Sequence, residues 1–188
     1  RATARTYPHT VTLRDGTPVT FRLMTAADAG RIGTFARSLP EDDLLFLRMD
    51  ITDPGAVALW VRNLEAGLAT TVIAEVNGET AGYASLVQNR VAWQRHLGEI
   101  RTQVGPAHRS RGLGRALAAE IFSIGRERGL RKIVAQMTTD QKGAIATFER
   151  LGFKPEALLQ DFVVDHAGRT RDLVVMAYDV TGLTEFVE

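Results

Sequence analysis

The stretch Val104-Gly105-Pro106-Ala107-His108-Arg109-Ser110-Arg111-Gly112-Leu113-Gly114-Arg115 joins two different periodicities. Before it, Leu97 to Val104 alternates as a strand does; after it, Leu113, Leu117, Ile121 and Ile124 recur at helical spacing within Gly112 to Arg128. The junction is built of glycine and arginine. Glycine lets backbone amides approach a ligand closely. A helix N-terminus offers unpaired N–H groups and about half a positive charge, a combination that favours phosphate. Arg109, Arg111 and Arg115 add fixed charge in a geometry suited to phosphate oxygens. A Gly-rich helix start is also the ordinary form of a tight turn, and arginine there is commonly solvated, so the loop by itself leaves both readings open. It is not a Walker A loop, because no GK[ST] follows, and it lacks the dinucleotide fingerprint, because Leu117 stands at the third glycine position.

Working outward, Lys132 to Met137 reads as a short buried strand, so Leu97 to Met137 has the strand–helix–strand form of a parallel crossover. Asp140 to Leu151 reads as a helix with Ile145, Phe148 and Leu151 inward and Gly152 past its end. Strands near Ala157 to Val164 and Thr170 to Asp179 flank an Ala167-Gly168 turn. Upstream, Asn77-Gly78 between apolar runs marks a hairpin from Thr71 to Val87, and Thr10 to Met24 alternates around Asp15-Gly16. Thr25 and Asp28 are spaced as a capping box before a helix that Pro40 stops; a second helix follows Pro54. Between them, Glu41 to Asp53 reads as an acidic linker. The expected fold class is α/β: a single mixed, mostly antiparallel sheet flanked by helices, as one domain over residues 1–188 with its core at about 10–180.

The 188 residues hold 23 Lys+Arg against 22 Asp+Glu, and no cysteine. The absence of cysteine excludes disulfide frameworks, thiolate metal sites and a cysteine nucleophile, and fits a cytoplasmic setting. A net charge of +1 argues against a nucleic-acid partner. No apolar run approaches the ~20 residues that span a bilayer, so no membrane partner is expected; nor is a metal.

Two blocks together resemble the GNAT family of N-acetyltransferases. The first is Val104-Gly105-Pro106 followed by Arg109-Ser110-Arg111-Gly112-Leu113-Gly114; the second is Ala144-Ile145 followed by Phe148-Glu149-Arg150-Leu151-Gly152-Phe153. The likeness runs from about Thr20 to Asp179 and includes the element order. It implies the GNAT fold and acetyl-CoA as the acetyl donor. The amides from Ser110 to Gly114 would hold the pyrophosphate, and the strand edge at Thr102, Gln103 and Val104 would pair with the pantetheine arm. The helix from Gln141 would flank that arm on its other side. The Val104 amide would hold the thioester oxygen.

Transfer to an amine needs the amine neutral, and a lysine amine with a pKa near ~10.4 is mostly protonated at neutral pH. A general base must take that proton. Glu99 is the candidate: it sits on the strand feeding the loop, on one face with Arg101 and Gln103. A similar glutamate is the base in protein-acetylating members of the family. A solvated residue, or a salt bridge to Arg101 or Arg95, is the structural reading of the same side chain. His96 and His108 are alternative bases. Two residues depart from the family pattern: Phe148 stands where a tyrosine general acid is common, and Gln141 where an asparagine is.

The opening Leu13 to Arg22, and Ser38 to Asp43 followed by Arg48, resemble the GNAT modules of bacterial protein-lysine acetyltransferases. They imply a protein lysine as acceptor, which the acidic stretch would attract by its field. A small amine (polyamine, amino acid or aminoglycoside) is the alternative, and a non-catalytic acyl-CoA-sensing module is a third. Without a thiol to form an acyl-enzyme, direct transfer is the simpler route.

Overall fold

The computed structural model describes residues 5–180 except Phe46 and Arg48, so the part of the resemblance resting on Arg48 lies outside the described residues. In chain order the elements are β1 (His9–Thr12), β2 (Pro18–Leu23), α1 (Ala29–Arg37), α2 (Glu41–Leu45), α3 (Pro54–Glu65), β3 (Ala69–Val76), β4 (Glu79–Gln88), β5 (Leu97–Val104), α4 (Leu113–Glu127), β6 (Lys132–Thr138), α5 (Lys142–Arg150), β7 (Lys154–Val164) and β8 (Thr170–Asp179). The strands form one eight-stranded sheet in the order β1-β2-β3-β4-β5-β6-β8-β7. Among the described residues only β5 and β6 run parallel, and α4 is their crossover. The Asn77-Gly78 turn has both residues at positive φ (52° and 78°), the backbone that a two-residue hairpin needs.

Sheet and helices bury two apolar clusters. On one face, α4 lays Leu113, Leu117 and Ile121 against Val72, Ala84, Leu86 and Ile100, with Phe148 of α5 in the same cluster. On the other, Ile32 and Phe35 of α1 and Val57 and Trp60 of α3 cover Ile73 and Tyr83. The start of α1 is tied down by Asp28, which accepts the Thr25 N–H at 2.8 Å and is gripped by Arg22 at 2.6 and 2.9 Å. A 3-10 turn at Ala26–Asp28 precedes the α-helix proper.

The stretch expected as a linker contains α2. Three carboxylates, Glu41, Asp42 and Asp43, occupy its first turn, where the helix dipole favours them. The Leu44 N–H reaches back to the Pro40 carbonyl at 3.3 Å.

Gly82 sets how closely β5 lies to β4. A Cβ there would stand 2.5 Å from the Gln103 carbonyl oxygen and 3.2 Å from Val104 Cα, both backbone atoms. Gly82→Ala is therefore expected to destabilise the protein by about 2 kcal/mol, lowering Tm by roughly 4–8 °C. Thermal unfolding followed by circular dichroism checks this.

Candidate functional site

The pairing of β5 with β6 stops early. Its last pair is Glu99 with Val134, although β5 continues to Val104 and β6 to Thr138. Beyond Glu99 the two strands diverge, and the outer edge of β5 from Ile100 onward faces no strand. The Gly105 N–H bonds to the Ala81 carbonyl at 2.8 Å. Backbone polar groups alternate sides along an antiparallel strand, so those of Val104 point to the open side.

A cavity of about 620 Å³ fills this wedge. Its lining includes Trp60 from α3, Tyr83 and Ser85 from β4, and Glu99, Arg101, Thr102 and Gln103 from β5. Met137 and Thr138 of β6, Gln141 and Phe148 form the opposite side, with Leu159 and Phe162 of β7 at a further wall. The β4–β5 register places Val87 opposite Glu99, Ser85 opposite Arg101 and Tyr83 opposite Gln103, while Ile100 turns to the α4 side. The expected common face of Glu99, Arg101 and Gln103 is thus present.

Beneath this face the Trp60 indole N–H donates to Thr71 Oγ1 at 3.0 Å, and Thr71 Oγ1 lies 2.7 Å from Ser85 Oγ. A fully used buried network of this kind fixes the position of the indole. Tyr83 packs edge-on to Trp60, and burial pushes its phenol pKa up, so the hydroxyl keeps its proton at neutral pH. The Glu99 side chain is 16% exposed, and its Oε2 lies 3.4 Å from Arg101 Nη2.

The loop before α4 turns twice through the left-handed region. Ser110 has φ 62° and Gly112 φ 84°. The first bond into the helix runs from the Ala116 N–H to the Gly112 carbonyl at 3.0 Å, so the amides of Leu113, Gly114 and Arg115 have no acceptor within the helix. A Cβ on Gly114 would stand 3.5 Å from Val104 Cγ2, so the first turn lies directly against the end of β5. The arginines are partly engaged elsewhere. Arg109 pairs with Asp43 of α2 and donates to the Val104 carbonyl at 3.3 and 3.2 Å. Arg111 lies 3.4 Å from Asp15, whose pKa is lowered by its hydrogen bonds from the Thr17 hydroxyl and N–H and by Arg111. Arg115 is exposed. Exposed ion pairs such as these hold weakly and exchange readily for another anion.

At the start of α5, Gln141 uses its side-chain carbonyl to accept the Thr138 N–H at 2.9 Å, which closes the β6–α5 turn. Phe148 is buried, edge-on to Phe153 with ring centroids 5.1 Å apart, and also walls the cavity. Neither His96 nor His108 lines the cavity. Trp60, Tyr83 and the β7 residues were not singled out from the sequence, because only the cross-strand register and the returning hairpin bring them to the site. For Arg101 the sequence holds a signal, its place two residues beyond Glu99 on one strand face, which by itself marks only an ion-pair partner. Among the described residues, no group of three His, Asp or Glu side chains is placed to hold a metal, and no helix is long and apolar enough to cross a membrane.

Comparison with known proteins agrees with this geometry. The sequence profile of the Acetyltransferase (GNAT) family matches residues 39–153, more than half of the chain. Streptothricin acetyltransferase of Streptomyces lavendulae is 32% identical over 89 residues, which are 47% of this chain and 46% of that protein. The chain thus matches about half the length of that relative. L-amino acid N-acyltransferase MnaT of Escherichia coli strain K12 is 29% identical over 119 residues, 61% of this chain and 66% of that one. The structure of yncA from Salmonella typhimurium, described as a putative acetyltransferase with its cofactor acetyl-CoA, superposes with a TM-score of 0.75 at 25% identity, covering 87% of this chain and 95% of its own. With the split sheet, the glycine loop and the family profile in agreement, the chain belongs to the GNAT family of acetyltransferases.

Proposed function

We propose that the protein transfers an acetyl group from acetyl-CoA directly to the primary amine of a small molecule, in the cytoplasm. The observation that carries this is the succession of three features along β5: Glu99 facing the cavity, the open edge beyond it, and the amide-lined start of α4 against the end of the strand at Val104. The residues fit acetyl-CoA. The Ser110–Gly114 backbone, already in the positive-φ form, suits the pyrophosphate, with Arg109, Arg111 and Arg115 around it. The free edge at Thr102, Gln103 and Val104, where Thr102 and Val104 turn their backbone groups outward and Gln103 bonds to β4, suits the amides of the pantetheine arm, and Gln141 and Phe148 flank it.

Bound there, acetyl-CoA supplies a thioester carbonyl carbon, at which a C–N bond forms as the C–S bond breaks and CoA departs as the thiol. Glu99 takes the proton that the amine loses. The Val104 N–H, on the open side of β5, donates to the carbonyl oxygen as charge develops on it. Phe148 has no proton to give, so the sulfur's proton comes from the amine or from water; a thiol of pKa near ~8.5 leaves without a strong acid.

The relatives named for streptothricin and for L-amino acids support a small acceptor. A protein lysine is the second reading, favoured by the exposed carboxylates Glu41 and Asp42 on α2. Calorimetric titration with acetyl-CoA and CoA, followed by thiol release over amino acids, polyamines, aminoglycosides and lysine peptides, tests the proposal. Binding and acetylation of a small amine are expected. No binding at millimolar acetyl-CoA overturns the reading; binding without thiol release for any amine leaves a sensing module instead.

A further inference from the structure

Arg101 lines the cavity on the same face of β5 as Glu99. Its guanidinium is drawn inward: the side chain is 28% exposed, and Nε is buried without a hydrogen-bond partner. Its ion pair to Glu99 is a single long contact, Nη2 to Oε2 at 3.4 Å, far from the two parallel bonds that guanidinium and carboxylate make when matched. Leaving a buried charged donor unused is costly, so this arrangement is best explained by an anionic group that arrives with the ligand.

The rest of the lining narrows the ligand. Glu99 is the one carboxylate and Arg101 the one cation among the described residues around the cavity. A polyamine or aminoglycoside would meet a single acid with a fixed positive charge beside it. A zwitterion meets the opposite situation: its ammonium faces Glu99 and its carboxylate faces Arg101, which gives the guanidinium a full-charge acceptor beyond its single 3.4 Å contact. The walls beyond are apolar, with Trp60, Met137, Leu159, Phe162 and Leu173.

We infer that the acceptor is an α-amino acid with an apolar side chain, and that Arg101 binds its carboxylate. The inference rests on the acetyl-transfer reading above. The ammonium gives one proton to Glu99; as the C–N bond forms and the C–S bond breaks, the nitrogen's second proton passes to the departing sulfur, which leaves as the thiol, and the carboxylate is unchanged, held by Arg101 throughout.

The test measures acetyl-CoA-dependent thiol release with L-leucine, L-leucinamide and 3-methylbutylamine, which share the side chain and amine but differ at the carboxylate. Wild type is expected to prefer leucine by on the order of 100-fold in kcat/KM, since a site built around a charged contact rejects analogues that lack it. Arg101→Gln should bring the leucine-to-leucinamide ratio of kcat/KM down towards one, mainly through KM for leucine, with the Kd for acetyl-CoA near its wild-type value, and Arg101→Lys should restore part of the ratio. Equal turnover of leucine and leucinamide by wild type overturns the inference, independently of how any variant folds. So does an equal loss on both substrates in Arg101→Gln. Preferred turnover of spermidine or a lysine peptide overturns it while leaving acetyl transfer intact; no turnover of any amine overturns both.

Discussion

Glu99→Gln is expected to lower kcat for acetyl transfer by about 10²–10⁴-fold, the usual contribution of a positioned general base, while the Kd for acetyl-CoA stays near its wild-type value. The two effects separate because Glu99 lies at the last β5–β6 pair, where the strands begin to part, whereas the amides suited to the pyrophosphate belong to the loop before α4. Glutamine keeps the shape and can still accept from Arg101, so packing around the 3.4 Å contact is preserved. What it loses is the capacity to take a proton from an amine that is largely protonated at neutral pH. Thiol-release rates and calorimetry on the same preparation give both numbers. Undiminished turnover would mean that the proton leaves by another route, and a parallel loss of acetyl-CoA binding would give Glu99 a structural role instead.

What the sequence made legible depends on the range of the interaction. The β5–α4 junction was legible because two periodicities meet at Gly112, and the Asn77-Gly78 hairpin because its turn chemistry is local. Helix α2 was not: five residues give no periodicity, and its helix rests on Pro40 and three acidic side chains at its start. The parting of β5 from β6 was legible only through the family resemblance, since alternation in a strand says nothing about where its neighbour leaves it. Its place in the loop marks Arg109 as a phosphate ligand, but its tie to Asp43 joins residues 66 apart in sequence. Helical spacing makes Phe148 a core residue, as it is, while its place beside the pantetheine arm comes only from the family resemblance; the gap beside β6 brings it to the cavity wall. Arg101 shows the limit most clearly, because an unsatisfied buried donor is a property of three-dimensional surroundings.

Gly112→Glu is expected to weaken acetyl-CoA binding by about 100-fold or more, while Gly112→Ala weakens it far less. Gly112 has φ 84°, and a Cβ there would meet nothing within 4 Å. Any side chain at this position therefore carries the same backbone strain, roughly 1–2 kcal/mol, and its Cβ touches no part of the protein. Alanine measures that strain alone. Glutamate adds a negative charge at the start of α4, where the helix dipole welcomes it, so the variant should unfold no earlier than the alanine one. The same charge opposes a pyrophosphate in the cradle, and two like charges about 4 Å apart near a protein surface repel by several kcal/mol. Stability and affinity should thus move in opposite directions between the two variants, which a general disruption of the loop would not produce. Calorimetry for Kd and thermal unfolding for Tm read the two quantities. A glutamate variant that binds acetyl-CoA as tightly as the alanine variant would place the phosphates somewhere other than the start of α4.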